Sequence, residues 1–240
     1  MNAPVRIAPS SHYTVGGLKI DVDGRTNLPN VYAAGELAGG VHGANRHGGV
    51  ALVDGITFAR IAGQHAARNI DGKPAGRGTS LLPPSRKAGR EARFADLMGD
   101  LRRTNQFALG PIRNAERLQS AGERFAEFRE KAFSFGWNDY AEMQEVLRVQ
   151  RAILLSDCMR QAMLRRTESR GAHSRSDFTN SSDAWLTKQV VALQDGEPRF
   201  EEIAVSGSHG RKNELAKKRS EEHQETCLSA ALCGGAHVEQ

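Results

Sequence analysis

No run of about 18 consecutive apolar residues occurs in this sequence, so it predicts no membrane span. The first eleven residues lack an apolar segment, and we therefore expect no secretory signal peptide there. Three cysteines are too few for a disulfide framework and indicate a reducing compartment, for which the cytoplasm is the simplest choice. Hydrophobic residues make up only 39% of the 240 residues, so part of the chain is expected to be solvated or to contact a partner.

Positive charge is in small excess, with 33 Lys and Arg against 28 Asp and Glu, and it is spread along the chain. Nucleic-acid binding would need a concentrated basic surface and would show strongly salt-dependent affinity. Because no group of aromatic residues accompanies the basic helices, we do not expect a nucleic-acid partner.

The most informative stretch is a glycine-rich polar loop between a predicted strand and a predicted helix. An apolar run at 31–34 predicts the strand, and apolar spacing at 50–70 predicts an amphipathic helix. The loop at 37–49 between them contains five glycines together with Asn45, Arg46 and two histidines. Glycines let backbone N–H groups approach a ligand closely, and a helix N-terminus adds unpaired donors and a positive dipole end. The loop therefore predicts half of a site for an anionic or strongly polar ligand.

Composition divides the chain into four segments. Short strands that lead into a loop and a helix fit the edge of an α/β domain over residues 1–72. Residues 73–90 are rich in Gly, Pro and Ser and predict a linker. Helix-forming residues dominate 91–205, whereas 206–240 are charged and weakly periodic, so we expect a mostly disordered tail. The predicted fold class is α/β followed by all-α.

Three helices are predicted in the second domain, and helices of this length pack as a small three-helix bundle. The first breaks near the Gly-Pro pair at 110–111, and the others span 115–133 and 140–166. Residues 185–193 predict a short helix or strand, and 200–205 a last strand. In the helix at 50–70, the residues predicted to be buried are Leu52, Val53, Ile56, Ala59, Ala62 and Ala66.

Four motifs occur in a fixed order along the chain. They are HYTVGG at 12–17, LPNVYAAGE at 28–36, GVHGANRHGG at 40–49 and TESRGAHSRSDF at 167–178. In this order they resemble the flavoprotein subunit of succinate dehydrogenase and fumarate reductase, a family that includes L-aspartate oxidase. The resemblance covers residues 5–205 and implies a flavin enzyme that acts on a dicarboxylate.

The resemblance implies FAD as the cofactor and assigns roles by position. His12 resembles the family's substrate-binding histidine, and Arg46 resembles its substrate-carboxylate arginine. Glu36 lies where the family contacts the ribityl region of FAD. Ala51 and Leu52 match the pair whose backbone N–H groups face the flavin pyrimidine. A guanidinium can hold a carboxylate through two parallel charge-assisted hydrogen bonds, which suits the role implied for Arg46.

Two departures from the family pattern stand out. The family usually reads GANRLGGNSLL, whereas this chain has His47 in place of Leu and Val50-Ala51 in place of Asn-Ser. Backbone contacts to a flavin would survive this change, but a hydroxyl contact would not. The GxGxxG turn that binds the ADP end of FAD is also absent from the sequence. The chain therefore resembles the C-terminal portion of such a flavoprotein, with the ADP-binding half and the proton-donating arginine expected upstream, and it offers no catalytic residue of its own.

Each of these residues also has a purely structural interpretation. His12 could bond to backbone, Arg46 could pair with Asp54, and Glu36 could cap a turn. The loop 167–178 could be catalytic through Glu168, Arg170, His173 and Arg175, but we favour a role in packing the helical domain onto the flavin domain through salt bridges. The tail places four zinc-type ligands within fifteen residues, yet the spacing favours a disordered tail over a zinc site; these residues are His223, Cys227, Cys233 and His237.

The sequence thus predicts an incomplete FAD-dependent oxidoreductase of the succinate dehydrogenase and fumarate reductase type. Its expected partners are a dicarboxylate and either an iron–sulfur subunit or an upstream flavoprotein half. A non-catalytic remnant, or a helical module that binds a partner without flavin, is the alternative. The identity of the dicarboxylate, the direction of the reaction and the electron partner stay open.

Overall fold

The computed structural model describes residues 12–69 and 94–205. Four α-helices and small two-stranded sheets make up this mixed architecture. Two compact units are separated after Thr179, and each is described by itself. The first unit contains α1 (Val50–Arg68), α2 (Phe94–Ala108), α3 (Ala115–Ser134) and α4 (Tyr140–Arg165). None of the helices within these residues is long and apolar enough to cross a membrane.

The helix boundaries follow from local chemistry. Asn114 precedes α3, and its side chain accepts a hydrogen bond from the Arg117 N–H at 2.9 Å. Asp139 caps α4 in the same way, accepting from the Glu142 N–H at 2.8 Å, while the Glu142 carboxylate accepts from the Asn138 N–H at 2.8 Å. Helices α3 and α4 therefore match the predicted ranges 115–133 and 140–166 to within one residue, and α2 ends at Ala108, two residues before the predicted break at 110–111.

Helices α2, α3 and α4 pack against one another around a shared apolar core. Their buried faces recur at helical spacing, as the sequence predicted for Leu118, Phe125 and Phe128, which are 0–1% exposed. The buried members of this core are Leu97, Leu101, Ala108, Ala121, Phe125, Phe128, Ala132, Val149 and Ile153.

A short parallel pairing connects the start of α3 to the loop that follows α4. Strand β1 (Ile112–Arg113) pairs with β2 (Ser174–Arg175). In the second unit, β3 (Thr187–Gln194) and β4 (Glu197–Ala204) form an antiparallel hairpin. Its turn is Asp195-Gly196, with φ of 54° and 81°, which is the Asp-Gly turn typical of two-residue hairpins.

Alternating residues at 12–21 predict a strand on each side of Gly16-Gly17, and 31–34 predict another strand, but these predictions are wrong. Only two isolated bridges form there, Leu18 with Ala38 and Arg25 with Tyr32. A strand needs a partner over several residues, and none pairs with these segments among the described residues. The Asp23-Gly24 pair also predicts a turn, which is confirmed because the Gly24 N–H donates to the Asp21 carbonyl at 3.1 Å.

The buried face predicted for α1 is also largely wrong. Leu52, Val53 and Ile56 are 78%, 63% and 71% exposed, whereas Asp54 and Ala62 are the buried residues of this helix. The helix packs through the Ala62 side against the 24–33 segment, so its apolar face points away from that contact. No element in the described part of the chain covers this face.

Candidate functional site

Two segments that are distant in sequence meet at residues 16–18 and 37–39. The Leu18 N–H donates to the Leu37 carbonyl at 2.8 Å, and the Gly39 N–H donates to the Leu18 carbonyl at 2.9 Å. A Cβ at Gly17 would overlap the Leu37 carbonyl, and φ at Gly17 is +151°, so the approach requires glycine. This contact sets the 12–15 segment beside the glycine-rich loop.

Glu36 lies in a short 3-10 helix, Gly35–Leu37, at the start of the loop. Its carboxylate accepts a hydrogen bond from the Thr14 N–H at 2.8 Å. Glu36 therefore ties the HYTVGG segment to the loop, which is a cross-segment contact and not the turn cap considered from the sequence. The role of Glu36 toward a flavin stays a prediction.

Arg46 stacks on an aromatic ring. Its guanidinium carbon lies 4.5 Å above the centroid of the Tyr13 ring, and one terminal nitrogen donates to the His47 carbonyl at 3.0 Å. A cation over a tyrosine face is attracted by the ring quadrupole. Arg46 makes no ion pair with Asp54 or any other residue that the structure describes, so its positive charge is available for an anion.

Asp54 is the buried acid of α1. It is 5% exposed, and its Oδ2 lies 3.2 Å from Nε2 of His42. The same nitrogen lies 3.2 Å from the hydroxyl of Tyr13. Partial burial raises the pKa of Tyr13, with the charges of Asp54 and Glu36 acting in the same direction and Arg46 opposing. Tyr13, His42 and Asp54 thus form one cluster, which we call the tyrosine–histidine–aspartate cluster.

Sequence reasoning gave no functional role to any of these three residues. One signal was present, because Asp54 interrupts an apolar run on a helix that otherwise presents Val50, Leu52 and Val53. A carboxylate in such a run indicates either a surface position or a buried partner. The partner, His42, lies in the loop and could not be identified from spacing.

The start of α1 offers unpaired backbone donors. Gly49 is the residue before the helix, with φ of 82°, and no side chain caps the N-terminus. Ala51 and Leu52 lie in the first turn, where backbone N–H groups have no partner within a helix. An anion or a polarised carbonyl fits such an end, which also carries the positive pole of the helix dipole. The residues present therefore fit the flavin-facing role that the sequence predicted for this pair.

His12 lies at the surface next to Tyr13. Among the described residues it makes no hydrogen bond or ion pair, so the backbone contact considered from the sequence is not seen. The structure brings Arg46 and the 12–15 segment together through Tyr13. It shows no contact between His12 and Arg46, and the substrate role of both residues stays a prediction.

The loop 167–178 contains a dense charge network. Glu168 is fully buried, and its carboxylate accepts from Arg166 at 2.5 Å and from Arg170 at 3.0 and 3.1 Å. Arg175 is 1% exposed and binds both carboxylate oxygens of Asp177 at 2.7 Å. These hydrogen bonds lower the pKa of Asp177 to about 2.

His173 belongs to the same network but stays neutral. Burial lowers its pKa to about 4, and the neighbouring charges of Arg113, Arg166 and Arg175 add to the shift. Its Nε2 lies 3.1 Å from the Arg166 carbonyl, a geometry in which the ring N–H donates. The loop therefore fastens the end of α4 to β1 and the start of α3.

The same loop packs onto the glycine-rich loop through backbone. The Ala172 N–H donates to the Ala44 carbonyl at 3.0 Å. A Cβ on Gly171, where φ is +57°, would overlap that carbonyl oxygen. The predicted packing role is therefore supported by a backbone contact two residues from Arg46, and the salt bridges predicted between the two domains stay a prediction.

No group of three or more metal-type ligands occurs within residues 12–69 and 94–205. His42 is engaged with Tyr13 and Asp54. The four zinc-type residues of the tail lie outside the described residues.

Comparison with known proteins gives the class first. The family model described as "FAD binding domain" matches residues 2–52, which include His12, Glu36 and Arg46. Residues 2–52 therefore carry the sequence pattern of the FAD-binding domain of flavoproteins.

A second family model, "Fumarate reductase flavoprotein C-term", matches residues 98–220. One chain of the fumarate reductase (CoM/CoB) of Methanothermobacter marburgensis is 32% identical over 209 residues, covering 82% of this chain and 38% of the relative. The fumarate reductase flavoprotein subunit of Mycobacterium tuberculosis is 32% identical over 214 residues, covering 80% of this chain and 37% of the relative. The chain belongs to the succinate dehydrogenase and fumarate reductase flavoprotein family, whose cofactor is FAD.

Solved structures agree with this assignment. Mycobacterium smegmatis Sdh1 in complex with UQ1 matches with a TM-score of 0.66 and 28% identity, over 81% of this chain and 35% of that chain. A quinol fumarate reductase flavoprotein of E. coli matches the fold with a TM-score of 0.74 over 87% of this chain. The chain spans 35–41% of the length of the curated relatives that it matches.

Proposed function

We propose that this chain supplies the carboxylate-binding and flavin-facing part of a FAD-dependent oxidoreductase that interconverts a dicarboxylate and its unsaturated form. When bound, FAD exchanges a hydride with the substrate. His12 and Arg46 hold the substrate carboxylates, and Glu36 with the backbone of Ala51 and Leu52 contacts the flavin. The single observation that carries the proposal is the unpaired Arg46 guanidinium, stacked on Tyr13 at 4.5 Å in a glycine-rich loop that ends at an uncapped helix N-terminus.

The charge on Arg46 would polarise as well as bind. A cation beside a carboxylate of an unsaturated diacid withdraws electron density from the double bond and favours addition of a hydride. The uncapped start of α1 favours negative charge on whatever lies before it, since its dipole presents a positive end. Both effects point to chemistry in which negative charge develops.

The exposed apolar face of α1 favours the binding of a partner protein. Leu52, Val53 and Ile56 lie on a helix that begins at the proposed flavin contact, and each is more than 60% exposed. Contiguous exposed apolar residues mark interaction sites in soluble proteins. We infer that an upstream flavoprotein half, with the ADP-binding turn and the proton donor, covers this face, and that the completed enzyme transfers electrons to an iron–sulfur subunit.

The domain assignment rests on the same proposal. Residues 1–72 belong to the FAD-binding domain, 73–90 are a linker, 91–205 form the helical domain with α2, α3 and α4 as a three-helix bundle, and 206–240 are a tail. We place the protein in the cytoplasm, as its cysteine content suggests.

The test measures the visible absorbance of the purified chain with added FAD, followed by the change in the flavin spectrum when fumarate is added. We expect flavin uptake when the chain is mixed with an upstream flavoprotein half, and a fumarate-dependent change that Arg46→Ala removes. Arg148→Ala is the matched control, because Arg148 is 58% exposed and pairs with Glu145 on α4.

A helical module that binds a partner without flavin is the second candidate. The exposed aromatic residues Phe107 and Phe133 on α2 and α3, 58% and 57% exposed, favour it. A chain that takes up no FAD, alone or mixed with an upstream flavoprotein half, and that is indifferent to Arg46→Ala would establish this alternative and reject the proposed function.

A further inference from the structure

The Asp54 carboxylate is buried in an energetically unfavourable environment. Its side chain is 2% exposed, and neither carboxylate oxygen has a partner in hydrogen-bonding geometry among the described residues. Burying a carboxylate is strongly unfavourable unless it is paired and hydrogen-bonded. Its close neighbour among the described residues is the His42 ring, which is itself only 9% exposed, with Nε2 3.2 Å from Oδ2. An acid retained under these conditions requires an explanation beyond packing.

The His42 ring contacts both neighbours through one atom. Nε2 of His42 lies 3.2 Å from Asp54 Oδ2 and 3.2 Å from the Tyr13 hydroxyl. Nε2 and the Tyr13 hydroxyl share one hydrogen bond, and its direction depends on the tautomer of His42. His42 therefore lies between the buried Asp54 carboxylate and Tyr13, and it restrains the hydroxyl and the ring of Tyr13.

Tyr13 in turn supports Arg46. The Tyr13 and His42 rings meet edge to face, with centroids 5.5 Å apart and an interplanar angle of 79°. The guanidinium of Arg46 lies over the face of the same tyrosine. Arg46 also has a buried Nε without a partner in the described structure, so the ring stack and one bond to the His47 carbonyl are its main restraints.

We propose that His42 and Asp54 are positioning residues, which hold Tyr13 as the platform that orients Arg46 for its carboxylate. This inference deepens the proposed function and rests on it for the identity of the bound anion. The orientation of Arg46 in the unbound chain does not depend on that identity, so the two can fail separately.

The chain contains a second cluster of the same three residue types, which serves as a matched control. The Tyr32 hydroxyl lies 3.0 Å from Nδ1 of His65, and Nε2 of His65 lies 3.6 Å from Asp23. His65 and Asp23 are 23% and 37% exposed. No arginine stacks on Tyr32 among the described residues, so this cluster has no cation to orient.

The first measurement is the NMR resonance of the Arg46 Nε–H in the full chain with labelled arginine, identified by its loss in Arg46→Lys. The Tyr13 ring should shift this resonance away from the values of exposed arginines. Asp54→Asn and His42→Leu should lose most of the shift. His42→Gln, which keeps a donor near the Nε2 position, should retain it, and so should Asp23→Asn.

The second measurement is a fumarate titration of the FAD-supplemented chain. Asp54→Asn and His42→Leu should weaken fumarate binding by about tenfold, which corresponds to about 1.4 kcal/mol, while the helix content measured by circular dichroism stays unchanged. Asp23→Asn should bind as the unaltered chain does.

The outcomes separate clearly. An Arg46 shift that persists in Asp54→Asn and His42→Leu, or that disappears equally in Asp23→Asn, overturns the positioning role. Unchanged fumarate binding in Asp54→Asn overturns it as well. An unaltered chain that shows the shift and its loss in the variants but binds no fumarate supports the positioning role and rejects the proposed function.

Discussion

The two parts of the first unit treat apolar residues in opposite ways. In α3 and α4, Leu118, Phe125 and Val149 are completely buried, whereas Leu52 and Ile56 of α1 are 78% and 71% exposed. Both regions show apolar residues at helical spacing, so the spacing alone does not determine burial. Burial needs a second surface, and α2, α3 and α4 provide one for each other. In the 12–69 region, by contrast, the apolar face of α1 is not covered by any described element.

Buried charge shows the same contrast. Glu168 receives hydrogen bonds from two arginines, Arg166 and Arg170, and is fully enclosed. Asp54 has one close neighbour, the His42 ring, outside hydrogen-bonding geometry. The hydrogen bonds to Glu168 stabilise the folded loop. Asp54 lacks such bonds, so its burial is better explained by the position of His42 than by stability. The loop 167–178 is therefore held by its own ion pairs, whereas the 12–69 region contains a buried carboxylate without a hydrogen-bond partner among the described residues.

The largest expected effect comes from testing the difference in burial between the core of α2, α3 and α4 and the face of α1. Phe128→Ala should lower the free energy of unfolding by about 3–5 kcal/mol, because it leaves a cavity in a closed core. Leu52→Ala should change it by less than about 0.5 kcal/mol, since the side chain is exposed. Urea denaturation followed by circular dichroism measures both. Equal losses would show that the face of α1 is covered in solution.

The second test compares the two buried carboxylates. Glu168→Gln should cost about 3 kcal/mol, since it leaves arginine charge buried without its counterion. Asp54→Asn should change stability by less than about 1 kcal/mol, because relief of carboxylate desolvation offsets the lost contact with His42. The same urea titration gives both values. If Asp54→Asn were as destabilising as Glu168→Gln, the two carboxylates would have the same structural role.

The third test addresses the contact between the two regions. Gly171→Ala should cost about 1–2 kcal/mol for the left-handed backbone. It should also displace the Ala44 carbonyl, so the Arg46 resonance should move. Gly196→Ala has the same backbone cost, with φ of +81° and open space around it, and should leave Arg46 unchanged. An unaltered Arg46 resonance in Gly171→Ala would show that the loops are not coupled.

The smallest expected effect is a pH dependence. His173 has a pKa of about 4 in the folded chain and about 6.5 in the unfolded chain. As pH falls below 6.5, the unfolded chain binds a proton that the folded chain does not, so stability decreases between pH 6.5 and 4. His173→Gln should flatten this part of the curve of urea midpoint against pH. A curve with the same slope in the variant would place the titration elsewhere.

Helices, caps and family motifs were predictable because their causes are local. Asn114 and Asp139 cap their helices with their own side chains, and Gly-Pro at 110–111 follows the end of α2. The motif order gave the family, which the comparisons confirmed. These features need only the sequence within a few residues of each position.

The remainder depends on contacts between distant residues. The exposure of Leu52 could not be read from its spacing, since the spacing is the same in a covered helix. The pairing of His42 with Asp54 depends on how the glycine-rich loop folds back over α1. The strand predicted at 200–205 and the strand alternative at 185–193 correspond to β4 and β3, but their pairing as a hairpin was not predicted, although the local Asp195-Gly196 turn signal was present.

The backbone hydrogen bond from Ala172 to Ala44 has a consequence for the order of folding. Ala172 is synthesised after most of the described chain. The loop that carries Arg46 therefore leaves the ribosome long before the residue that donates to it. Contacts between such distant residues form late, because closing a long loop costs entropy before the contact compensates. The helices α2, α3 and α4, with their local contacts, should therefore form first. The loop that carries Arg46 would then reach its final position only after residue 172 has been synthesised.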